Sequence, residues 1–589
     1  MVKRYRPFSC PLFLICLVFA STMLFGCGSA DMSIDGQETA VEPTPILQAT
    51  PTDFLPVEAT PTPGNLPVYV DPALPSDLQE QAYTIHEIGG REVVFSDSRE
   101  PAEVVIGLNP ERPLSRWVYA VTAPFPELRD SVTAAGLRQW WQTDCAVENS
   151  NTGEEAQSET EQAEPSPTAA NACVEESLLV SRDVYFLLVA NWGAPGSRVK
   201  ICDESCSLLQ DAWTGGNRYS ILPYEELEPR WKVLSLENES PLDYEFQAEN
   251  YMLTFEFGLS GSAAFDEEIR TRLSWPQTNL DPDKRTVVVL TGVTALTRAI
   301  AWRMEAEGSL YPAEKIRDWM LSADFTHVSN EVSFFDECRY PDPEQRELRF
   351  CSSPAYFDLL LDVDVDLVEL TGNHILDFGD EPFLYSLDLY DEAGMQAFGG
   401  GRSLEESRKP VLLSHNGNQI AFFGCNKAGP VSTWATEEEP GSNPCDDETF
   451  TILEQLQNSG YLTFFTYQWY EAYSSSPDSS QVTGFHRAVD AGADIVSGSQ
   501  AHQPQGFEFY NGAFIHYGPG NLFFDQMWSQ DTREEFVVVY IIYDGHHIST
   551  ELKTAILEDF SQPRPMTLLE RESFLEKMFA VSRWNHFTE

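Results

Sequence analysis

Polar clusters recur just after apolar runs in the second half of this 589-residue chain. Thr371-Gly372-Asn373-His374 follows Leu367–Leu370, with Leu376-Asp377-Phe378-Gly379 close behind. Gly498-Ser499-Gln500-Ala501-His502 follows Ile495–Ser497, and Gly518-Pro519-Gly520-Asn521 follows Phe514–Tyr517. Ser329-Asn330-Glu331 ends a shorter apolar stretch. One such loop means little. Several in one region point to a shared site where amide, imidazole and carboxylate groups bind a polar ligand and move a proton. Other chemistries lack their signatures: there is no G-x-S-x-G elbow, P-loop or H-E-x-x-H, and Ser499 is not in an elbow context.

The elements that must position these loops alternate. Strands are expected at Thr286–Leu290, Leu367–Leu370, Ile420–Gly424, Leu462–Tyr467, Ile495–Ser497, Phe514–Tyr517 and Phe536–Tyr543. Helical patterns lie at Thr297–Glu307, Pro312–Leu321, Phe383–Ala393, Thr449–Asn458 and Gly484–Ala491. This alternation predicts an α/β fold, in which polar ligands gather beyond the carboxyl ends of strands.

Four stretches carry a family resemblance. Ala491 to Glu508, containing Gly498-Ser499-Gln500-Ala501-His502 and Pro504-Gln505-Gly506, resembles a G-S-H-x-H then P-Q-G motif. Ile515 to Gln526 resembles a G-N-F-x-F-D-Q segment, and Thr371 to Gly379 resembles N-N-H-x-L-D-x-G. Phe398-Gly399-Gly400-Gly401 resembles a glycine-rich turn. Together they resemble the poly-γ-glutamate capsule-synthesis (CapA) family, a branch of the calcineurin-like metallophosphoesterases. The resemblance covers about Thr286 to Arg583. It implies a four-layer α/β/β/α sandwich preceded here by a smaller α/β domain.

The resemblance also implies one or two divalent metals, Mn, Fe or Zn, held by Asp, Glu, Asn and His. Paired metals would generate hydroxide for in-line attack on a phosphoester. Residue by residue the match is partial. Asn373 matches a metal ligand and His374 the adjacent catalytic histidine, with Asp377 as the acid that orients it. Glu331 matches the acid of an N-L-E motif, where Ser329-Asn330 stands in for the asparagine frame. His502 matches the second histidine of its motif, but Gln500 replaces the first. Gly292-Val293 replaces G-D, and Gln468 replaces a histidine before Trp469. Glutamine is a poorer ligand than imidazole, and valine cannot ligate. The expectation is weak single-metal binding at Glu331, Asn373 and His502, or none, within a pocket that includes Asn330, Gln468, Gln500 and Asn521. Asp324 is a candidate compensating acid. His374 and His502 also fit a structural role, bonding only their own loops. His415 and His516 read as structural, His546-His547 as a solvated hairpin, and Trp469 and Tyr470 as pocket wall.

The N-terminus reads as an export signal. Lys3, Arg4 and Arg6 precede an apolar stretch from about Pro11 to Phe25, too short to span a membrane. It ends Leu24-Phe25-Gly26-Cys27, which resembles a bacterial lipobox with Cys27 as the lipidated residue. Residues 1–26 are thus expected to be a signal peptide, and 27–67, rich in Pro and Thr, a disordered tether. Residues 68–280 are expected to form an α/β domain with a disordered acidic insertion at about 149–170, and 281–589 the CapA-like domain. Tyr219-Ser220-Ile221-Leu222-Pro223-Tyr224 and Glu228-Pro229-Arg230-Trp231-Lys232 give the first domain a resemblance to periplasmic solute-binding proteins.

Export permits disulfides. Short local loops favour Cys338 with Cys351 and Cys425 with Cys445, and suggest Cys145 with Cys173 and Cys202 with Cys206. The net charge of −55 excludes nucleic acid and disfavours attraction of polyanions. The composite expectation is an exported lipoprotein, anchored at the outer side of the cytoplasmic membrane, or at the outer membrane if the cell is diderm. It would act in envelope or capsular polymer metabolism through a depleted site that hydrolyses weakly or only binds. The alternative is a solute-binding lipoprotein whose C-terminal domain is a non-catalytic scaffold.

Overall fold

Val287, Val289, Val537, Val539 and Ile541 face one way, while Val288, Leu290, Phe536, Val538, Tyr540 and Ile542 face the other; all are buried. A strand buried on both faces must be covered by a layer on each side, and this alternation sets the architecture of the C-terminal half. A computed structural model describes residues 64–144, 176–203, 206–216 and 218–584, which pack as one compact unit.

In that half, a nine-stranded sheet runs in the order Gln396–Phe398, Leu367–Glu369, Phe325–Asn330, Arg285–Thr291, Glu534–Tyr543, His546–Glu558, Gln562–Pro565, with Val293–Thr294 and Asn521–Phe523 attached at one end. A six-stranded sheet runs Val411–His415, Asn418–Asn426, Leu462–Gln468, Ile495–Ser499, Ala513–Pro519, Pro504–Tyr510. The sheets face each other across an aromatic core, where Phe464 meets Tyr540 edge-on at 5.2 Å and stacks on Phe422 at 4.6 Å. The outer face of the larger sheet packs on the helices Arg298–Glu307, Phe357–Asp362 and Asp380–Ala393. The outer face of the smaller sheet packs on Asp447–Asn458 and Ser479–Asp490. The result is the four-layer α/β/β/α sandwich.

The central strands of each sheet are parallel: Arg285–Thr291, Phe325–Asn330, Leu367–Glu369 and Gln396–Phe398 in one, Asn418–Asn426, Leu462–Gln468, Ile495–Ser499 and Ala513–Pro519 in the other. Their carboxyl ends therefore lie at one edge of each sheet. Side-chain caps fix where the covering helices begin: Asp446 accepts from Thr449 N, and Asp478 from Ser480 N and Gln481 N. The second cap starts its helix at Ser479, ahead of the expected Gly484. Pro312–Leu321, expected as one helix, is a 3₁₀ turn at Tyr311–Ala313 and a short helix at Arg317–Met320.

Residues 66–261 contribute an eleven-stranded mixed sheet. Its spine is the long strand Arg112–Pro124. The first part of this strand pairs with Thr254–Gly261, and the second with Arg218–Pro223 and Trp231–Leu236.

Disulfides join Cys338 to Cys351, Cys425 to Cys445 and Cys202 to Cys206. Cys27, Cys145 and Cys173 lie outside the described residues, as do the signal peptide, most of the tether and the acidic insertion. His547 corrects the expectation of a solvated hairpin. Its Nε2 lies 3.1 Å from Ser549 O and 2.8 Å from Thr550 Oγ1, and its ring packs on Tyr540 and Phe514. Among the described residues, no helix is long and apolar enough to cross a membrane.

Candidate active site

Glu331 follows the carboxyl end of Phe325–Asn330, and Asn373 follows that of Leu367–Glu369. Gln468 closes Leu462–Gln468, and Gln500 follows Ile495–Ser499. These four side chains meet. The Gln468 Nε2 amide donates to Glu331 Oε1 at 3.1 Å, to Asn373 Oδ1 at 3.1 Å and to Gln500 Oε1. Gln468 Oε1 accepts from the Ser499 hydroxyl at 2.7 Å. Glu331 and Gln468 are 2% and 1% exposed, so the interaction is shielded from water. An amide nitrogen has two protons, so three oxygens compete for two N–H bonds.

Close backbone approach makes the meeting possible. A Cβ on Gly372 would lie 2.8 Å from the Glu331 Cα, so only glycine lets the Asn373 loop pass there. Gln500 and His502 have φ of 79° and 54°, in the left-handed region that costs non-glycine residues about 1–3 kcal/mol each. His502 is held in that turn by Asn521. Its Nδ1 lies 3.0 Å from Asn521 Oδ1, and its carbonyl accepts from Asn521 Nδ2 at 3.2 Å. His502 and Asn373 thus belong to neighbouring parts of one assembly, linked through Gln500 and Gln468, without touching each other by hydrogen bond.

His374 forms a second group. Its Nδ1 lies 2.8 Å from Asp377 Oδ2, which also accepts from Phe350 N at 2.8 Å. Burial works against the charged imidazole. The hydrogen bond to Asp377 and the nearby Glu331 and Asp377 carboxylates outweigh it and raise the His374 pKa above its ordinary value, although Arg298 opposes them. His374 and Asp377 therefore form an oriented acid–base pair at the cluster's edge.

Two expected placements are corrected. Asn330 does not join the cluster. Its Nδ2 donates to Val332 O at 2.9 Å and to the Tyr390 hydroxyl at 2.6 Å, which turns it toward the helix Asp380–Ala393. Asp324 does not compensate for lost acids. It precedes the strand Phe325–Asn330, at the opposite end from the cluster, and accepts from Val287 N at 2.8 Å. Of the two wall aromatics, Trp469 is buried against Tyr467 and Phe485, while Tyr470 is exposed.

Arg298 and Asp525 are the residues that sequence reasoning missed. Arg298, itself at φ 50°, pairs with Asp525, and its guanidinium carbon lies 5.0 Å from the ring centroids of both Phe350 and Phe524. Asp525 Oδ2 also accepts from Ala299 N at 2.7 Å. Its signal in the sequence was the acid of Phe523-Phe524-Asp525-Gln526. Arg298 offered none, reading as the first turn of a helix. Beneath the Asn373 loop, the buried Glu369 accepts from the Thr371 hydroxyl and lies 3.3 Å from His327 Nε2, a further support that periodicity did not reveal.

The donor set does not fit a paired-metal site. Val293, which stands where the motif this loop resembles has an aspartate, is buried with Ala295, Val332, Phe350 and Phe524. Asp525 is committed to Arg298, and a carboxamide N–H group already sits where the Glu331, Asn373 and Gln500 oxygens converge. One carboxylate and two amide oxygens lack the charge that two divalent ions require.

Residues 287–526 match the family model of the bacterial capsule synthesis protein PGA_cap. The capsule biosynthesis protein CapA of Bacillus anthracis is 23% identical over 307 residues, 51% of this chain and 73% of that protein. The PGA biosynthesis protein CapA of Bacillus subtilis is 27% identical over 197 residues, 33% of this chain and 52% of that protein, so the match spans about half of that relative. The solved structure of Haemophilus influenzae NAD nucleotidase aligns with 51% of this chain and 57% of its own at 9% identity, with a TM-score of 0.28.

Proposed function

Because the domain at residues 287–526 belongs to the bacterial capsule synthesis family, we propose that this protein serves the assembly or handling of an envelope polymer of the poly-γ-glutamate type. It does so by binding rather than by metal-dependent hydrolysis. One observation carries the second half of this reading: Gln468 Nε2 bridges Glu331, Asn373 and Gln500. A neutral donor there satisfies the oxygens that a cation would otherwise neutralise. A buried carboxylate oxygen needs a hydrogen-bond partner, and the Gln468 amide supplies one to Glu331. What remains open to a ligand is the half-buried rim formed by Asn373, His374 and Asp377.

In this reading Cys27 carries the lipid that holds the chain at the outer face of the membrane. The Pro- and Thr-rich tether of residues 27–67 then links that anchor to the rest of the chain. The relatives' names give capsule and PGA biosynthesis, and the poly-γ-glutamate class follows from the family that the motifs at residues 371–379 and 491–508 resemble.

The test is elemental analysis of the purified exported protein together with hydrolysis of bis(p-nitrophenyl) phosphate. The expected result is less than stoichiometric Mn, Fe and Zn, no turnover, and retention on immobilised poly-γ-glutamate. Stoichiometric metal that disappears in His502→Ala, accompanied by turnover, overturns it. Labelling with a radioactive fatty acid, lost in Cys27→Ala, checks the anchor.

A further inference from the structure

Away from the polar cluster lies a half-open cavity of about 400 Å³. One wall is the strand Trp231–Leu236, the opposite wall is His546–Glu558, and the floor is the helix Leu568–Val581. None of Glu331, Asn373, His374, Gln468 or His502 lines it. Its volume lies in the range of small-molecule sites, roughly 300–1,000 Å³.

The lining has two kinds of surface. Charged groups of both signs face each other. Lys232 Nζ lies 2.8 Å from Asp130 Oδ1, which Arg571 Nη2 shares at 2.8 Å, and Lys553 Nζ lies 2.9 Å from Glu551 Oε2. Lys232 and Arg571 are each only 16% exposed. Burial pulls both cations below their ordinary pKa, against the pull of Asp130. Between these groups lies an apolar patch of Phe125, Leu575 and Phe579, with Trp319 also in the lining. Desolvating several charges is expensive, and ion pairs that served only to join two walls would close on each other and leave no space. Here they border an open volume, and the Lys553–Glu551 pair, 38% and 31% exposed, presents one positive and one negative group at its margin.

We propose that this cavity is a binding site for a zwitterionic small molecule of dipeptide size, its two charges met by the lysine–arginine and carboxylate groups and its apolar middle by the phenylalanine floor. Cations and acids are balanced at three each, counting Lys232, Lys553 and Arg571 against Asp130, Asp243 and Glu551. A ligand with no net charge therefore leaves that balance undisturbed. The site is separate from the Gln468 cluster, so the proposal does not depend on the function assigned to that cluster.

The experiment is calorimetric titration of the intact exported protein with alanylphenylalanine. Two controls are its doubly capped form, acetylated and amidated, and phenylpropionate, which keeps only the anion. The dipeptide is expected to bind one to one and at least about tenfold tighter than either control. Lys553→Gln removes one charge from a part-exposed position and is expected to weaken binding about tenfold. Ser235→Trp fills the cavity without removing a charge and is expected to abolish binding. Thermal melts matching the wild type verify that each variant is folded. The proposal is overturned if the dipeptide fails to bind at millimolar concentration, if the capped compound binds equally well, or if folded Ser235→Trp retains binding. Should Ser235→Trp fail to fold, the capped control and Lys553→Gln decide it.

Discussion

The Gln468 side-chain nitrogen lies 3.1 Å from both Glu331 Oε1 and Asn373 Oδ1, and so joins a strand end of one sheet to loops of the other. The sandwich brings its two sets of parallel strand ends to a common edge, and this amide is one of the points at which they touch. A histidine in the same place could not donate two N–H bonds from one atom. The glutamine is therefore a working part of this site rather than a simple loss.

Replacing that nitrogen by oxygen inverts its role. Gln468→Glu sets a second carboxylate against buried Glu331, and like charges at that range cannot both stay ionised. The expected outcome is a destabilisation of about 2–4 kcal/mol at neutral pH, by analogy with leaving a buried charge unpaired. Millimolar Mn²⁺ should recover part of it, because the variant supplies the second acid that the natural site lacks. Urea unfolding with and without the ion measures both effects. Equal stability of variant and wild type in the absence of metal would rule out the bridging role.

The His374–Asp377 pair predicts a pH signature. Its raised pKa means that the folded protein binds the proton more tightly than the unfolded chain. The stabilisation is fully present below the ordinary histidine pKa of about 6.5. It is lost as pH rises through the higher folded value. In Asp377→Asn the largest favourable contribution disappears, so the His374 titration followed by NMR should move to lower pH. The stability difference between variant and wild type should shrink as pH increases. An unchanged His374 midpoint would show that Asp377 does not orient it.

The fold was legible where burial and periodicity agree. Thr286–Leu290 reads as a strand because its run of apolar residues has no helical period, and it is a strand with both faces covered. The loops with Asn373 and His502 were legible because polar residues directly after buried strands have few places to go but the strand ends. Side-chain direction at those ends was not legible. Asn330 sits one residue before Glu331, yet the strand's alternation sends the two to opposite sides, one to Tyr390 and the other to Gln468. Nor could periodicity reveal Arg298, whose position depends on a left-handed backbone and on two rings, Phe350 and Phe524, distant in sequence.

Glu535 gives a prediction of opposite sign to acid denaturation. Its carboxyl is fully buried, neither oxygen has a hydrogen-bond partner among the described residues, and burial pushes its pKa well above the usual value. The folded state therefore keeps a proton that the unfolded chain releases, and the penalty grows as pH rises above the ordinary carboxyl value. Glu535→Gln should stabilise the protein at pH 7, with the gain disappearing below about pH 4. His516 pulls the other way. Wholly buried and held to about pKa 3, it costs stability as pH falls from about 6.5 toward 3. Chemical denaturation at several pH values separates the two. A pH-independent gain in Glu535→Gln would mean that packing alone is responsible.

Gly372 tests whether the cluster depends on backbone proximity. Its φ is not in the left-handed region, so alanine meets no torsional penalty, but its methyl would lie 3.0 Å from the Glu331 Cγ and 2.8 Å from the Glu331 Cα. That contact is with main chain, which cannot rotate away, so one of the two loops must shift. Gly372→Ala is therefore expected to lengthen the Gln468–Asn373 hydrogen bond while leaving Gln468–Gln500 intact, since Gln500 belongs to the other sheet's strand ends. The cost should be about 1–3 kcal/mol, the range for overpacking a tight contact. Binding to immobilised poly-γ-glutamate should fall with it if the Asn373–His374 rim holds the polymer. Crystal structures of the variant and wild type would show the displacement directly. An unmoved Asn373 together with weakened binding would place the polymer contact elsewhere.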